Sequence, residues 1–328
     1  MRIAIDAMGG DAAPHANVEG ALDAAREYRD AEIVLVGDTA RLKPLIPELP
    51  PNVSLVHADE TIASDDEPVK AVRRKKNASM VIAAQMVRDR SVDAMISAGN
   101  TGALMVTGTL IVGRMSGVER PALAPLLPTM DGRGVLALDL GANMDANPQN
   151  LLQYAIMGSI YREAVHGVKK PRVGLLNVGT EAVKGNELTK AAYPLLKEAP
   201  IHFIGNVEAR DVLNAACDVI VCDGFAGNIM LKAMEGAANA IIAALKEEFM
   251  RTAATKLAAA VMKPRLKSLI NKLDYTEHGA APLLGLDGLV LKGHGSSDAN
   301  AIKNAVRQAR IAIQADLVRA ISAQISGK

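Results

Sequence analysis

Short apolar runs alternate along this chain with longer stretches of helical period, and that alternation restricts the fold more than any other feature. The runs at residues 2–6, 32–36, 53–58, 92–98, 134–140, 172–178, 201–204 and 219–222 are apolar through both faces. Strands buried on both faces belong to a covered, mainly parallel sheet. Helical segments are expected between them at 11–28, 67–90 (in two pieces, broken near Asn77), 102–112, 147–166 and 186–198. Strand–helix alternation predicts an α/β layered fold. No fixed-period repeat and no linker interrupts the pattern, so residues 1–328 are expected to form a single α/β domain carrying one protruding element.

Composition narrows the function classes. The hydrophobic fraction is 49%, so the chain is not of the disordered type. Lys and Arg number 37 against 36 Asp and Glu, and the net charge of +1 argues against a general nucleic-acid binder. With no Trp, three Phe and five Tyr, a base-stacking surface is not expected either. Two cysteines form no disulfide framework, which fits a reducing cytosol. The start, MRIAIDAMGGD, lacks the apolar core of a secretory leader. Residues 94–113 are uncharged but too rich in Gly, Ser, Thr and Asn for a membrane span, and read as strand, glycine turn and helix.

The protruding element is a helical hairpin arm at about 240–275. A long Ala-rich helix begins near Gly227 and is followed by RTAATKLAAAVMKPRLKSLINKL. Residues 249–273 carry six basic side chains and no acid, so a +6 segment sits in a chain that is otherwise −5. Pro264 is expected to break the helix after Met262, at a turn displaying Leu257, Ala260, Val261 and Met262 beside Lys263. One reading is attachment to an anionic membrane surface. On pattern alone the preferred reading is a core or dimer helix with solvated lysines.

Six runs end in Gly/Asn/Asp turns: IDAMGGD (5–11), ISAGNTGALM (96–105), LDLGANMDANP (138–148), NVGTEAVKGNE (177–187), CDGFAGNIMLK (222–232) and KGHGSSDANAI (292–302). In parallel α/β sheets the carboxyl ends of strands line the ligand crevice. Glycine there admits close backbone approach, and the following helix start offers N–H groups to an anion. The candidate substrate contacts from these turns are Asp6, Gly9, Gly10, Asn100, Thr101, Gly102, Asn143, Asn186, Gly227 and Ser296. No phosphate-loop or dinucleotide fingerprint is present. Asp6, Asp11, Asp139, Asp145 and Asp223 are read as helix and turn caps in preference to Mg²⁺ ligands, and no metal or other cofactor is expected. Cys217 and Cys222 flank an apolar run without a nearby His and read as buried small hydrophobes. His294 has two open roles, turn residue or phosphate and proton ligand. Lys184 suits a point charge for an oxyanion, and Asn228 a neutral donor at a helix start.

Taken in order, IDAMGGD, SAGNTGALM, DGFAGN and GHGSSDANAIKNA resemble the PlsX-type phosphate acyltransferases (acyl-ACP:phosphate acyltransferases) over nearly the whole chain. The resemblance implies a Rossmann-like fold, with a mainly parallel sheet and helices on both faces, related to isopropylmalate dehydrogenase and phosphotransacetylase. It implies transfer of a fatty acyl group from acylated acyl carrier protein to inorganic phosphate. The acyl phosphate would feed phospholipid (phosphatidic acid) synthesis. It implies a cytoplasmic homodimer in peripheral contact with the inner face of the cell membrane and with the glycerol-3-phosphate acyltransferase. It also implies that Lys184, Asn228 and His294 are catalytic and that the basic hairpin touches membrane, which reverses the preference stated above. Phosphate would attack the thioester directly, so the enzyme chiefly positions it and stabilises the oxyanion. Arg73, Arg74, Lys75, Lys76, Arg114 and the hairpin are candidates for docking the acidic carrier. The alternatives are a phosphotransacetylase-like enzyme using acyl-CoA, a dehydrogenase, and a non-catalytic membrane scaffold.

Overall fold

The computed structural model describes residues 1–273 and 280–325; of Pro264 and residues 266–273 it describes the backbone alone. The order of elements begins β1 (Arg2–Asp6), α1 (His15–Glu27), β2 (Glu32–Gly37), α2 (Thr39–Leu42), β3 (Val53–His57), α3 (Pro68–Arg74), α4 (Ser79–Arg88), β4 (Ala94–Ser97) and α5 (Thr101–Thr107). It continues through β5 (Ala122–Leu123), β6 (Leu126–Leu127), β7 (Val135–Leu138), α6 (Pro148–His166), β8 (Arg172–Asn177), α7 (Glu187–Glu198), β9 (His202–Glu208) and β10 (Val219–Val221). It closes with α8 (Gly224–Phe249), α9 (Ala253–Leu273), β11 (Ala281–Leu284), β12 (Leu289–Lys292), α10 (Ala299–Gln314) and α11 (Leu317–Ile325).

Among the described residues the expected α/β layers are divided between two sheets. One runs β3-β2-β1-β4-β12-β11-β5 and the other β6-β7-β10-β8-β9. The pairings of β1 with β2 and β4, of β12 with β4, and of β10 with β7 and β8 are all parallel. Between these strands, antiparallel pairing is confined to β11, with β12 and β5, and to β6 with β7.

The two-residue period of a strand explains how helices come to lie on both faces. Ile3 and Ile5 of β1 pack with Val18, Ala21, Leu22 and Ala25 of α1. Ala4, from the opposite face, packs with Met80, Val81 and Ala84 of α4. In the second sheet Leu136, Leu138, Val219 and Val221 join Leu151, Tyr154 and Ala155 of α6, in the same apolar cluster as Ile3 and Ile5. One core therefore runs between the two sheets. α6 owes its sharp ends to sequence: Asn147 and Asn150 cap each other's backbone N–H groups, Pro148 fits the first turn, and Gly167 closes the helix at φ +66°.

The arm differs from expectation in the position of its turn. α8 ends at Phe249, and residues 250–252 separate it from α9. Thr252 and Thr255 account for this: Thr255 N–H donates to Thr252 Oγ1 (3.1 Å) and Thr252 N–H to Thr255 Oγ1 (3.0 Å), a reciprocal cap that starts α9. Pro264 lies inside α9, where it removes one backbone donor without ending the helix. Leu257, Ala260, Val261, Met262 and Lys263 are thus exposed on the body of the second helix and not at its turn. Residues 274 and 275, the last of the expected arm, lie outside the described residues. No described helix is long and apolar enough to cross a membrane.

Candidate active site

The first group of turns closes around Asp6 at the end of β1. Its Oδ1 accepts from Ser79 Oγ (2.6 Å) and Met8 N–H (3.2 Å), and its Oδ2 from Ser97 Oγ (2.6 Å). Burial raises its carboxyl above the usual range, against the pull of those donors. Gly9 is required beside it, because a Cβ there would lie 2.6 Å from Asp6 Oδ2 and 2.7 Å from Gly99 N. Asp11 N–H donates to Gly295 O (2.8 Å) and Gly293 N–H to Ser97 O (2.9 Å), so the turns after β1, β4 and β12 touch. Asp6, Gly9, Gly10, Asn100, Thr101, Gly102, His294 and Ser296 share this group.

Within it, Asn100 is engaged by the protein: Oδ1 caps α5 at Ala103 N–H (2.9 Å), and Nδ2 donates to the carbonyls of Ala63, Ser64 and Asp66. Thr101 is the exposed side chain of that turn. Asp298 caps α10 at Ala301 N–H (2.8 Å), so His294 does not have that task. His294 is exposed, and its Nδ1 accepts from Ser296 N–H (3.3 Å) and lies 2.7 Å from Ser296 Oγ. That bond leaves the proton of the neutral ring on Nε2.

A second group closes around Asp139, just past β7. Asp139 accepts from Ala142 N–H (3.2 Å), Asn143 N–H (2.5 Å) and Asn143 Nδ2 (3.1 Å), and burial raises its carboxyl. Gly227 seats α8 against this turn: a Cβ on it would lie 2.1 Å from Asp139 O. The neighbouring Asn228 side chain packs beside Gly141, 3.5 Å from where that residue's Cβ would stand. Asn143, Gly227 and Asn228 are therefore brought together. Asp223 caps α8 at Ala226 N–H (2.9 Å).

Lys184 and Asn186 occupy a third turn, after β8. Asn186 caps α7 at Thr189 N–H (2.9 Å), and Gly185 takes φ +104°, which only glycine adopts freely. Lys184 is exposed. Among the described residues neither side chain hydrogen-bonds to the other two groups.

Two features were not singled out from sequence. Lys292, at the end of β12, is buried in the first group of turns; its only sequence signal is a lysine closing an apolar run before GHG. The second is a cavity of about 460 Å³ lined by Val69, Met105, Val106 and Leu110 from α3, α5 and the π-helical turn after it, and by Ala142 and Asn143 of the second group. Arg73, Arg114 and Arg120 also line it. Of the basic run 73–76, Lys75 is held within the protein by Asp66 (2.5 Å), while Arg73 faces the cavity. The cysteines are buried, and burial pushes the Cys217 thiol up to about 12 and that of Cys222 well above its usual range. Among the described residues no group of three His, Cys, Asp or Glu is placed to hold a metal ion.

Comparison with known proteins follows the same lines. The model of the family described as "Fatty acid synthesis protein" matches residues 1–320. A phosphate acyltransferase of Brevibacillus brevis is 57% identical over 318 residues, 97% of this chain and 95% of that protein. One from Geobacillus thermodenitrificans is 55% identical over 99% of both chains. Among solved structures, a phosphotransacetylase from Streptococcus pyogenes superposes with a TM-score of 0.61 at 16% identity, covering 96% of this chain and 94% of its own. A branched-chain phosphotransacylase from Enterococcus faecalis does so at 0.56 and 12% identity, covering 95% and 99%. The structural likenesses show the fold, and the sequence likenesses extend over the full length of enzymes. The chain belongs to the fatty acid synthesis protein family, as an acyltransferase of the PlsX-type phosphate acyltransferase group.

Proposed function

We propose that this acyltransferase moves a fatty acyl group from acylated acyl carrier protein to inorganic phosphate, releasing acyl phosphate for phosphatidic acid synthesis. The observation that carries this reading is the cavity that reaches the Asn143 turn. It joins an apolar trough, suited to an alkyl chain, to the turn where Asn143, Gly227 and Asn228 meet. Its three arginines suit an acidic carrier and the phosphate of the carrier's prosthetic arm.

In this reading phosphate docks on the turn amides. Lys184 supplies a cation, and Asn228 and His294 supply donors. A phosphate oxygen attacks the thioester carbonyl carbon, the C–S bond breaks, and the thiolate leaves and takes up a proton. Phosphate near neutral pH is already partly dianionic and needs no strong base. The protein's contribution is positioning and stabilisation of the tetrahedral oxyanion. Residues 1–328 act as one α/β unit, paired as a homodimer, with the arm at about 240–275 resting on the inner face of an anionic membrane near the glycerol-3-phosphate acyltransferase. The exposed Leu257 and Val261 beside Lys256 and Lys263 support that placement of the arm.

The test incubates purified protein with phosphate and either acyl-acyl carrier protein or acyl-CoA, and traps acyl phosphate as its hydroxamate. Phosphate-dependent hydroxamate from the carrier-bound substrate is the expected result. Hydroxamate from acyl-CoA alone would replace this reading with a phosphotransacetylase-like one. Its absence with both substrates would refute the reaction.

A further inference from the structure

Lys292 is buried at the heart of the first group of turns, and the mechanism above makes no use of it. Its residue is 8% exposed, and its ammonium is held by carbonyl oxygens, with Asp11 and Asp6 acting on it through space and not through a hydrogen bond. An ammonium removed from water without a close counter-ion is costly, and an aliphatic side chain of similar size would fill the space without that cost. The charge therefore needs a task at this position.

Its hydrogen bonds identify one. Nζ donates to the carbonyl of Ala98 (3.5 Å), in the turn after β4, and to the carbonyl of Gly293, in the turn after β12. The two bonds tie the turn that exposes His294 and Ser296 to the turn after β4.

We propose that Lys292 is a positioning residue for phosphate: its ammonium pins the 293–296 turn, which carries His294 and Ser296, to the 98–102 turn. This rests on the reading that these turns take phosphate.

The charge on Lys292 is conditional on pH. Burial lowers its pKa to about 8, while Asp11 and Asp6 pull it upward. Asp6 comes from β1 and Asp11 from the turn after it. β4 and residues 98–102 bring no titratable group, and Asp298 of α10 is engaged as a cap. The clamp is thus complete below pH about 8 and is lost as the ammonium deprotonates above it.

The experiment measures kcat and KM for phosphate from pH 6.5 to 9.5, with acyl-acyl carrier protein saturating, in wild type, Lys292→Met and Lys292→Arg. In wild type kcat/KM for phosphate should fall above pH about 8, because that ratio reports the free enzyme. Lys292→Met should raise KM for phosphate about tenfold, the equivalent of one lost charge-assisted contact, and abolish that alkaline limb. Lys292→Arg should carry the limb beyond pH 9. A flat wild-type profile, a wild-type KM in Lys292→Met, or a limb left in place in Lys292→Arg overturns the proposal. Should Lys292→Met fail to fold by thermal melting, the wild-type and Lys292→Arg profiles decide. A wild-type protein that makes no acyl phosphate at all refutes the proposed reaction instead.

Discussion

Gly227→Ala and Gly236→Ala make the same chemical change in the same helix, α8, and the structure assigns them opposite outcomes. At Gly227 the added Cβ would stand 2.1 Å from Asp139 O, 2.8 Å from Cys222 Sγ and 2.8 Å from Leu140 Cδ2. The first of these is backbone, and Asp139 N–H is itself bonded to Cys222 O (2.9 Å), so the turn cannot simply rotate away. The start of α8 must lift instead. Overpacking of this kind costs about 3 kcal/mol, from which about 1 kcal/mol of helix propensity is regained, leaving a loss of about 2 kcal/mol or more. At Gly236 a Cβ would meet nothing within 4 Å, so only the propensity gain of about 0.5–1 kcal/mol remains. With 328 residues, an unfolding entropy of about 2.1 cal/mol/K per residue gives about 0.7 kcal/mol per degree. Calorimetry should therefore find Gly227→Ala melting about 3 °C or more below wild type and Gly236→Ala about 1 °C above it. Because Asn228 follows Gly227 and rests on Gly141, the hydroxamate assay should show turnover reduced at least about tenfold in Gly227→Ala and unchanged in Gly236→Ala. A Gly227→Ala protein with wild-type melting and wild-type turnover would refute both the packing and its link to the site.

Lys184→Ala should lower turnover on the order of 10², as the loss of one oxyanion donor does, and near-normal hydroxamate formation would remove Lys184 from the mechanism. Changing Leu257 and Val261 to Asp should abolish flotation of the protein with anionic liposomes, since both side chains are exposed on one face of α9; undiminished flotation would count against the arm. With burial pushing the Cys217 thiol up to about 12, its thiolate fraction in folded protein at pH 8 is about 10⁻⁴, and burial raises the Cys222 thiol well above its usual range too. A colorimetric disulfide reagent should therefore label both cysteines in urea and neither in the native protein, and rapid native labelling would contradict their burial.

The parts of the fold legible in sequence are those where one physical signal acts alone. The both-face apolar run of β1 and the break at Asn77 between α3 and α4 emerge as read. β9 runs past its expected end at residue 204, because Gly205 at φ +96° continues the strand, next to a register shift opposite Val173 and Gly174. β5 and β6, two residues each, are too short for any period, and β11 and β12 are ordered by pairing partners distant in the chain. In the site, the turns announce themselves through Gly and Asn, but their grouping by sheet does not. Proximity of Gly9 to Gly99 and of Gly227 to Asp139 follows from strand order, which sequence spacing does not encode. At the arm, Pro264 carries the stronger breaking signal, yet the Thr252–Thr255 cap sets the turn.

The apolar cluster shared by the two sheets also limits how the enzyme can move. α6 of the second sheet packs on α10 and α11, and Tyr161 Oη accepts from Gln308 Nε2 (2.5 Å) across that joint. Swinging the sheets apart would bring Tyr154, Tyr161 and Met157 into water, at about 1.5–3 kcal/mol for each large side chain. Three such exposures hold a gaping conformer to about one molecule in 10³–10⁶. The two sheets should therefore keep their spacing. In the proposed reaction the acyl chain would enter past α3 and α5, with turns and side chains making the adjustments.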